Sequence, residues 1–563
     1  MIKNSSKKDV DVLFNSLVEY KIPKYQRDYK WSKDEAEQFL EDFVESNNVF
    51  SPQYLGVLVT SPDYGDSLQT VHEVIDGQQR ITTLFILFCA IRKYAKDFEL
   101  NNIISNIEQK IFYHTGVERK YKIDTHDYLH LFFDNILEDS ESSIIPRGKS
   151  IKYVYDTFLS YLEENISPES LEGFYRAIIK SEFVHIEIGS ASPFEVFERT
   201  NSRGVDLTVS DLLKNKLFLE ANRVDNLNQI QDRWDIITEN AGLIYEKIKK
   251  LKFTTLIRYF YISRFGHITE KKLYKKIVEK YTDFYENDID RFVSDFESSV
   301  NLLIILSKNR QELSSDDILK IPGRNSDRGY LRTILSLKEF AVIQPYSLLL
   351  SLFAKERDMD LRTWLNKIEV FHFVYSYISN GPAREFEKKY SETAEKVYNA
   401  NSLKEVQSEL NKLIFEFSRL VKNITTREKF IKDVSGKLKY GRDSNAIRFY
   451  YEYLEEEHFN RNLHGDTFIG DSPISLDHVL AQNIAENHSL GNIIVLSKDI
   501  NQQVQDKDFK KKREIILNSN GIQVTRYMYE KYEDWNDASI SEWGEESAGM
   551  FWDSVVKKYF NLD

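Results

Sequence analysis

The 563-residue sequence predicts a helix-rich α+β protein in three parts. These are an α/β front over residues 1–222, a helical middle over 223–435 and a small strand–strand–helix part over 436–563. Three observations carry this. Residues 71–90 (VHEVIDGQQRITTLFILFCA) pass from an alternating run ending in Val74-Ile75 to an apolar stretch long enough for a buried helix. Residues 225–440 repeat helical periodicity with few breakers, and Leu302 to Leu306 and Leu348 to Phe353 read as buried helix faces. Near the end, SLDHVL and IIVLS are short β-prone runs, and a helical pattern follows them.

In the front part, residues 22–31 (IPKYQRDYKW) precede a capping box of Ser32 and Glu35. The helix it starts carries Phe39, Leu40, Phe43 and Val44 on one apolar stripe. Between the strand ending in Val74-Ile75 and a helix starting near Ile81 sits Asp76-Gly77-Gln78-Gln79-Arg80. Gly77 permits a tight turn, and the free N–H groups and positive dipole end of the helix favour an anion there. A nucleotide phosphate is the fitting anion. Arg80 is suited to pair with it bidentately, Asp76 to hold a magnesium ion or a water, and Gln78 and Gln79 to orient that water. Residues 194–218 (FEVFERTNSRGVDLTVSDLLKNKLF) add a polar turn and a helix start at Thr208 with Asp211. There Phe194, Phe197, Leu212 and Leu213 read as core, whereas Gln26, Arg27, Asn201 and Arg203 read as ligand-facing.

The helical middle carries no legible motif, and residues 435–443 (SGKLKYGRD) read as the joint before the last part. In that part Asp477-His478 closes one apolar segment, and Asn492 and Asn501 follow in the next strand and its exit. Asp477 can hold a hard divalent cation through a carboxylate oxygen and Asn501 through an amide oxygen. His478, on the opposite face of a strand, can take a proton from an attacking water. A cation there would stabilise charge growing on a phosphate and its leaving oxygen. Residues 499–517 read as one helix bearing Lys510, Lys511, Lys512 and Arg513. That order of residues suits a single-metal ββα nuclease.

The last part resembles HNH endonucleases, and specifically the C-terminal domain of GmrSD-type restriction enzymes, through Asp477-His478, Leu490-Gly491-Asn492, Asn501 and Phe509 with Lys512. Ala481 departs from a Pro usual in that family. DGQQR, with residues 22–31 and 194–218, resembles the ParB-like domain of the same enzymes. The resemblance implies a nucleoside triphosphatase whose hydrolytic motif is DGQQR, with Gln26, Arg27, Asp76, Gly77, Gln79, Arg80, Asn201 and Arg203 around the nucleotide. It further implies an endonuclease of prokaryotic anti-phage defence with Asp477, His478, Asn492, Asn501 and Lys512 at its centre. Such enzymes cut double-stranded DNA carrying glucosylated or otherwise altered cytosine, or, in the related SspE branch, sense phosphorothioate. The implied cofactors are Mg2+ or Mn2+ and ATP, GTP or UTP; a homodimer is compatible. A nucleotide-dependent DNA-binding regulator with an inactive nuclease, and an RNA-directed or toxin nuclease, stand as alternatives.

Composition sets limits. The net charge of −13 argues against broad DNA coating, because non-specific affinity comes from clustered Lys and Arg. Local contact is left to patches at Lys247, Lys249, Lys250 and Lys252, at Lys271, Lys272, Lys275 and Lys276, and at residues 510–513. A single cysteine, Cys89, excludes a disulfide framework and a cysteine zinc site. With no apolar leader in MIKNSSKKDVDVLF and no run of membrane-spanning length, the expected setting is the cytoplasm, with no membrane partner.

Overall fold

The computed structural model describes residues 2–15, 17–23, 26, 29–46, 49–63, 70–115, 118–124, 133, 136, 149–189, 208–314, 316–317, 329–354, 359–461, 467–470, 474–480 and 487–562. They form two compact units, Met1–Gln231 and Asp232–Asp563. This division is coarser than the three parts expected, because the helical middle and the last part fall in one unit.

The first unit is built on a mixed sheet of β1 (Ile2–Asp9), β2 (Val18–Lys21), β3 (Tyr54–Asp63), β4 (Thr70–Asp76), β5 (Ile123–Asp124) and β6 (Glu182–Ile188). Their order is β1-β6-β3-β4-β2-β5. β6 runs parallel to β3, and β4 parallel to β2, while β3 and β4 are antiparallel. Both central pairings contain a register shift, between Glu182 and Phe183 opposite β3 and between Val59 and Thr60 opposite β4. Bulges of this kind take backbone groups out of the ladder.

The apolar stretch after DGQQR is the Gln78–Asp97 helix, sunk into the core with Ile81, Leu84, Phe85 and Phe88 fully buried. Leu58, Val74 and Phe183 from the sheet and Phe158 and Phe174 from other helices close around it. Cys89 lies inside this core, and burial pushes its thiol pKa far up. Val59, Ile75 and Ile188 form a small cluster of their own. The capping boxes at Ser32 and Thr208 are both present. Among the described residues no helix is long and apolar enough to cross a membrane.

Among its described residues the named elements of the second unit are helices, apart from an antiparallel pair, β7 (Ile474–His478) and β8 (Ile493–Ser497). Leu348 to Phe353 are buried as expected in the Pro345–Phe353 helix, whereas in the Ile289–Ser307 helix Leu303, Ile305 and Leu306 are buried and Leu302 and Ile304 only half-buried. The 435–443 stretch is not a loose joint. Its start ends the Arg427–Lys437 helix, and the Asp443 carboxylate accepts from the Lys439 N–H at 2.8 Å and the Tyr377 hydroxyl at 2.7 Å. A polar sequence here reflects satisfied local hydrogen bonds. The helix expected over 499–517 is two helices, Lys498–Val504 and Phe509–Leu517, parted at Gln505, whose φ of 35° ends the first.

A buried ionic knot orders the helical region. The Arg332 guanidinium donates to Glu369 at 2.9 Å, Glu452 at 3.1 Å and Glu456 at 2.5 Å. Burial pushes the Glu452 carboxyl up to about 7 although Arg332 opposes it. Removing one partner strands the other charges in a dry interior. Arg332→Ala is therefore expected to destabilise this unit by about 3–5 kcal/mol, read as a lowered urea midpoint, whereas exposed Arg384→Ala should stay within about 0.5 kcal/mol.

Candidate functional site

At the DGQQR turn the sequence motif and the two bulges meet. Gly77 has φ +96°, and a Cβ there would lie 3.0 Å from the Val57 carbonyl oxygen and 3.1 Å from Leu58. Only glycine meets both conditions. The Asp76 carboxylate accepts from the Gly77 N–H at 2.7 Å, which fixes it at the helix start. Gln79 Oε1 accepts from the Lys30 N–H at 2.9 Å, tying the turn to residues 22–31. Gln78 and Gln79 are both buried. Below them the Thr83 hydroxyl donates to the Gln79 carbonyl and bonds Tyr29.

Arg80 differs from expectation. Its Nη1 donates to the carbonyls of Leu55 at 3.2 Å and Val57 at 3.1 Å. Gly56, with φ +94°, leaves the room, since a Cβ would collide with the guanidinium. The reason is the bulge in β3, which needs a donor for its carbonyls. Arg80 therefore has one nitrogen committed to the backbone of β3. Gln26 does the same at the other bulge: its fully buried amide donates to the Val74 and Ile75 carbonyls, while its Oε1 is buried without a hydrogen-bond partner. Lys214, not singled out from the sequence, donates to the Gln26 carbonyl at 3.1 Å from the Val209–Arg223 helix. Its signal was helical spacing alone, three residues after Asp211. Arg27, Asn201, Arg203, Phe194, Phe197 and Ala481 lie outside the described residues.

The second cluster stands on β7 and β8, where Asp477 pairs with Ile494 and His478 with Ile493. Lys512, almost wholly buried in the Phe509–Leu517 helix, donates to Asp477 Oδ2 at 2.7 Å and to the His478 carbonyl at 2.6 Å. One ammonium thus holds both residues of the pair. His478 Nε2 lies 3.1 Å from His488 Nδ1, and Tyr440 covers both rings. Burial, helped by His488, lowers the His478 pKa below the usual histidine value. His488 was missed because nothing in NHSLGN marks it without its partner.

Asn492 is bonded on every side. Its Oδ1 accepts from Leu480 N–H at 2.9 Å and from the Trp535 indole at 3.3 Å. Its Nδ2 donates to the Leu480 and Asn487 carbonyls at 3.3 and 2.9 Å. Both ends of the amide are engaged, so Asn492 holds the turn after His478. Asn501 sits half-buried in the Lys498–Val504 helix, which packs against β7.

The basic run splits, with Lys512 and Arg513 bonded inward and Lys510 and Lys511 exposed in surface pairs. Lys511 pairs with Asp508, Lys510 approaches Asp534, and Arg513 donates to the Tyr529 carbonyl. In the other patches Lys247 pairs with Glu312 and Lys276 with Glu279.

Residues 10–218 match the family model for the N-terminal domain of the GmrSD restriction endonuclease, and residues 424–549 match the model for the C-terminal domain of these enzymes. Together the two matches span more than half of the chain. The chain belongs to the GmrSD restriction endonucleases. No curated protein matches it. The first GmrSD match contains the DGQQR turn with Gln26 and Lys214, and the second contains Asp477, His478, Asn492, Asn501 and Lys512. Most of the helical middle lies between them.

Two substitutions test the geometry through stability alone. Gly77→Ala forces a side chain into the left-handed region and should cost about 1–2 kcal/mol. Asn492→Ala leaves buried partners unsatisfied and should cost about 1–3 kcal/mol. Denaturant midpoints of each variant against wild type measure both.

Proposed function

We propose that this restriction endonuclease cuts double-stranded, modified DNA in defence against phage, at a metal-assisted centre formed by Asp477, His478 and Asn501. The observation that carries the reading is the Lys512 ammonium bonded at once to Asp477 and to the His478 backbone. A buried cation there fixes a carboxylate and the backbone that carries an imidazole, and a hydrolytic centre needs such fixed groups. Lys512 engages Asp477 Oδ2, and Asp477 Oδ1 and the Asn501 amide oxygen are hard donors that would hold Mg2+ or Mn2+. When bound, the ion would stabilise negative charge on the scissile phosphate and its leaving oxygen. His478, kept neutral by burial, accepts the proton of the attacking water at Nδ1, since Nε2 faces His488. Asn492 holds the following turn so that this geometry persists.

The DGQQR turn is proposed to bind and hydrolyse a nucleoside triphosphate that regulates cutting. Support comes from Asp76 and Gln79 at one helix N-terminus, with Gln26 bonded to the strand that leads into it and Lys214 bonded to Gln26. Arg80 acts there by shaping the turn, and Asp76 is the group for a magnesium ion or a water.

Purified protein should cleave DNA bearing hydroxymethylated, glucosylated or phosphorothioate modification more than unmodified plasmid or RNA, and chelation should stop it. His478→Ala should lower cleavage by about 10²–10⁴-fold and leave phosphate release intact. Normal cutting by that variant overturns the nuclease assignment. Asp76→Ala should abolish phosphate release while circular dichroism stays native, and modified phage should then plate normally. Protein that neither binds nor hydrolyses any common nucleotide overturns the DGQQR reading.

A further inference from the structure

Away from the DGQQR turn, the strands of the first unit bring together a polar cluster that the proposed nucleotide chemistry does not use. His72 on β4 and His185 on β6 are buried at 6% and 2% exposure, with Glu187 two residues along β6. One ligand atom from each of the three lies within 4.8 Å of the others. Thr60, fully buried on the intervening β3, places its hydroxyl 2.9 Å from His72 Nδ1 and 2.9 Å from His185 Nε2. His185 Nδ1 is buried without a hydrogen bond and lies 3.7 Å from Glu187 Oε1. His72 stands four residues before Asp76, about 13 Å along the strand, so the cluster is distinct from the turn.

We propose that His72, His185 and Glu187 form a site for one borderline divalent transition-metal ion, with Zn2+ the preferred occupant. Two imidazoles and one carboxylate are a donor set that such ions favour and that Mg2+ does not. Zinc–ligand bonds of about 2.0–2.2 Å in a tetrahedron set ligand atoms about 3.4 Å apart, so the three groups need to close in by an ångström or so. Thr60 supplies the outer contact that metal-binding imidazoles commonly have: its oxygen can accept one N–H from each ring, which fixes both tautomers and leaves each ring its other nitrogen. Burial lowers both histidine pKa values, that of His185 to about 4, so protons do not compete at neutral pH. Lys8 on β1 approaches Glu187 Oε1 at 3.4 Å. Its side chain is partly exposed and can withdraw when the ion enters.

A purely structural alternative is a hydrogen-bonded His–Thr–His chain. That chain satisfies one nitrogen of each ring but leaves the buried His185 Nδ1 without a hydrogen bond, 3.7 Å from Glu187 Oε1. An ion there would tie β4 to β6 across β3.

Metal-free full-length protein, in excess Mg2+ to occupy oxygen-donor sites, would be titrated with Co2+ and followed by visible absorption, then challenged with Zn2+. The expected result is one equivalent of Co2+ with the strong bands of a low-coordinate nitrogen site, displaced by Zn2+. His185→Ala should remove it, and the near-isosteric Glu187→Gln should weaken it at least about 10–100-fold, the loss typical even of an outer partner. Asp477→Ala with Asn501→Ala should leave it unchanged, and circular dichroism confirms folding of each variant. Absence of binding in wild type, binding unchanged in both His185→Ala and Glu187→Gln, or binding lost only with Asp477 and Asn501 each overturns the proposal.

Discussion

The front unit depends on the fate of four carbonyl groups. Leu55, Val57, Val74 and Ile75 lie around two register shifts in the central strands, and each carbonyl must find a donor or forfeit about 1–3 kcal/mol. Arg80 answers the first pair and Gln26 the second. The bulges bend the strand ends outward from the ladder, and the side chains that close them hold the turn open between them. A regular ladder would have needed neither residue and would have left no such turn. Irregularity and the candidate site are one construction.

The second unit solves a related problem with charge. A single ammonium, almost fully desolvated, is satisfied by a carboxylate and a backbone carbonyl from adjacent residues. A buried lysine is costly alone, so Lys512 and Asp477 stabilise each other only while β7 holds its register. That makes the nuclease candidate a sensor of its own fold: a slip of one residue would carry Asp477 to the other face and strand the lysine.

Much of this was legible in the sequence where local signals agree with the fold. The strand, Gly77 and the following helix were readable because alternation, a breaker and a long apolar run coincide within twenty residues. So were β7 and β8 and both capping boxes. What escaped depends on partners distant in sequence. β1 reads IKNSSKKD, with neither alternation nor apolar content, and is a strand because β6 offers it a ladder. Arg80 was read as a phosphate ligand because the carbonyls it serves lie over twenty residues earlier. Asn492 was read as catalytic because an amide's role depends on what already occupies it. His488 and Lys214 gain meaning only from His478 and Gln26. The apparent single helix over 499–517 was broken by the backbone at Gln505, a position with no Gly or Pro to announce it.

Cys89 has a use beyond packing. It is the chain's only thiol, lies in the middle of the Gln78–Asp97 helix, and is shut from solvent with its thiolate disfavoured. A thiol of this kind reacts only when the surrounding core opens. Its labelling rate under native conditions therefore clocks the opening of the front unit without any engineered probe. Because that background reaction is slow, a second cysteine placed on the surface can be tagged selectively in the native protein, which gives fluorescence studies one clean attachment point without first removing a buried residue.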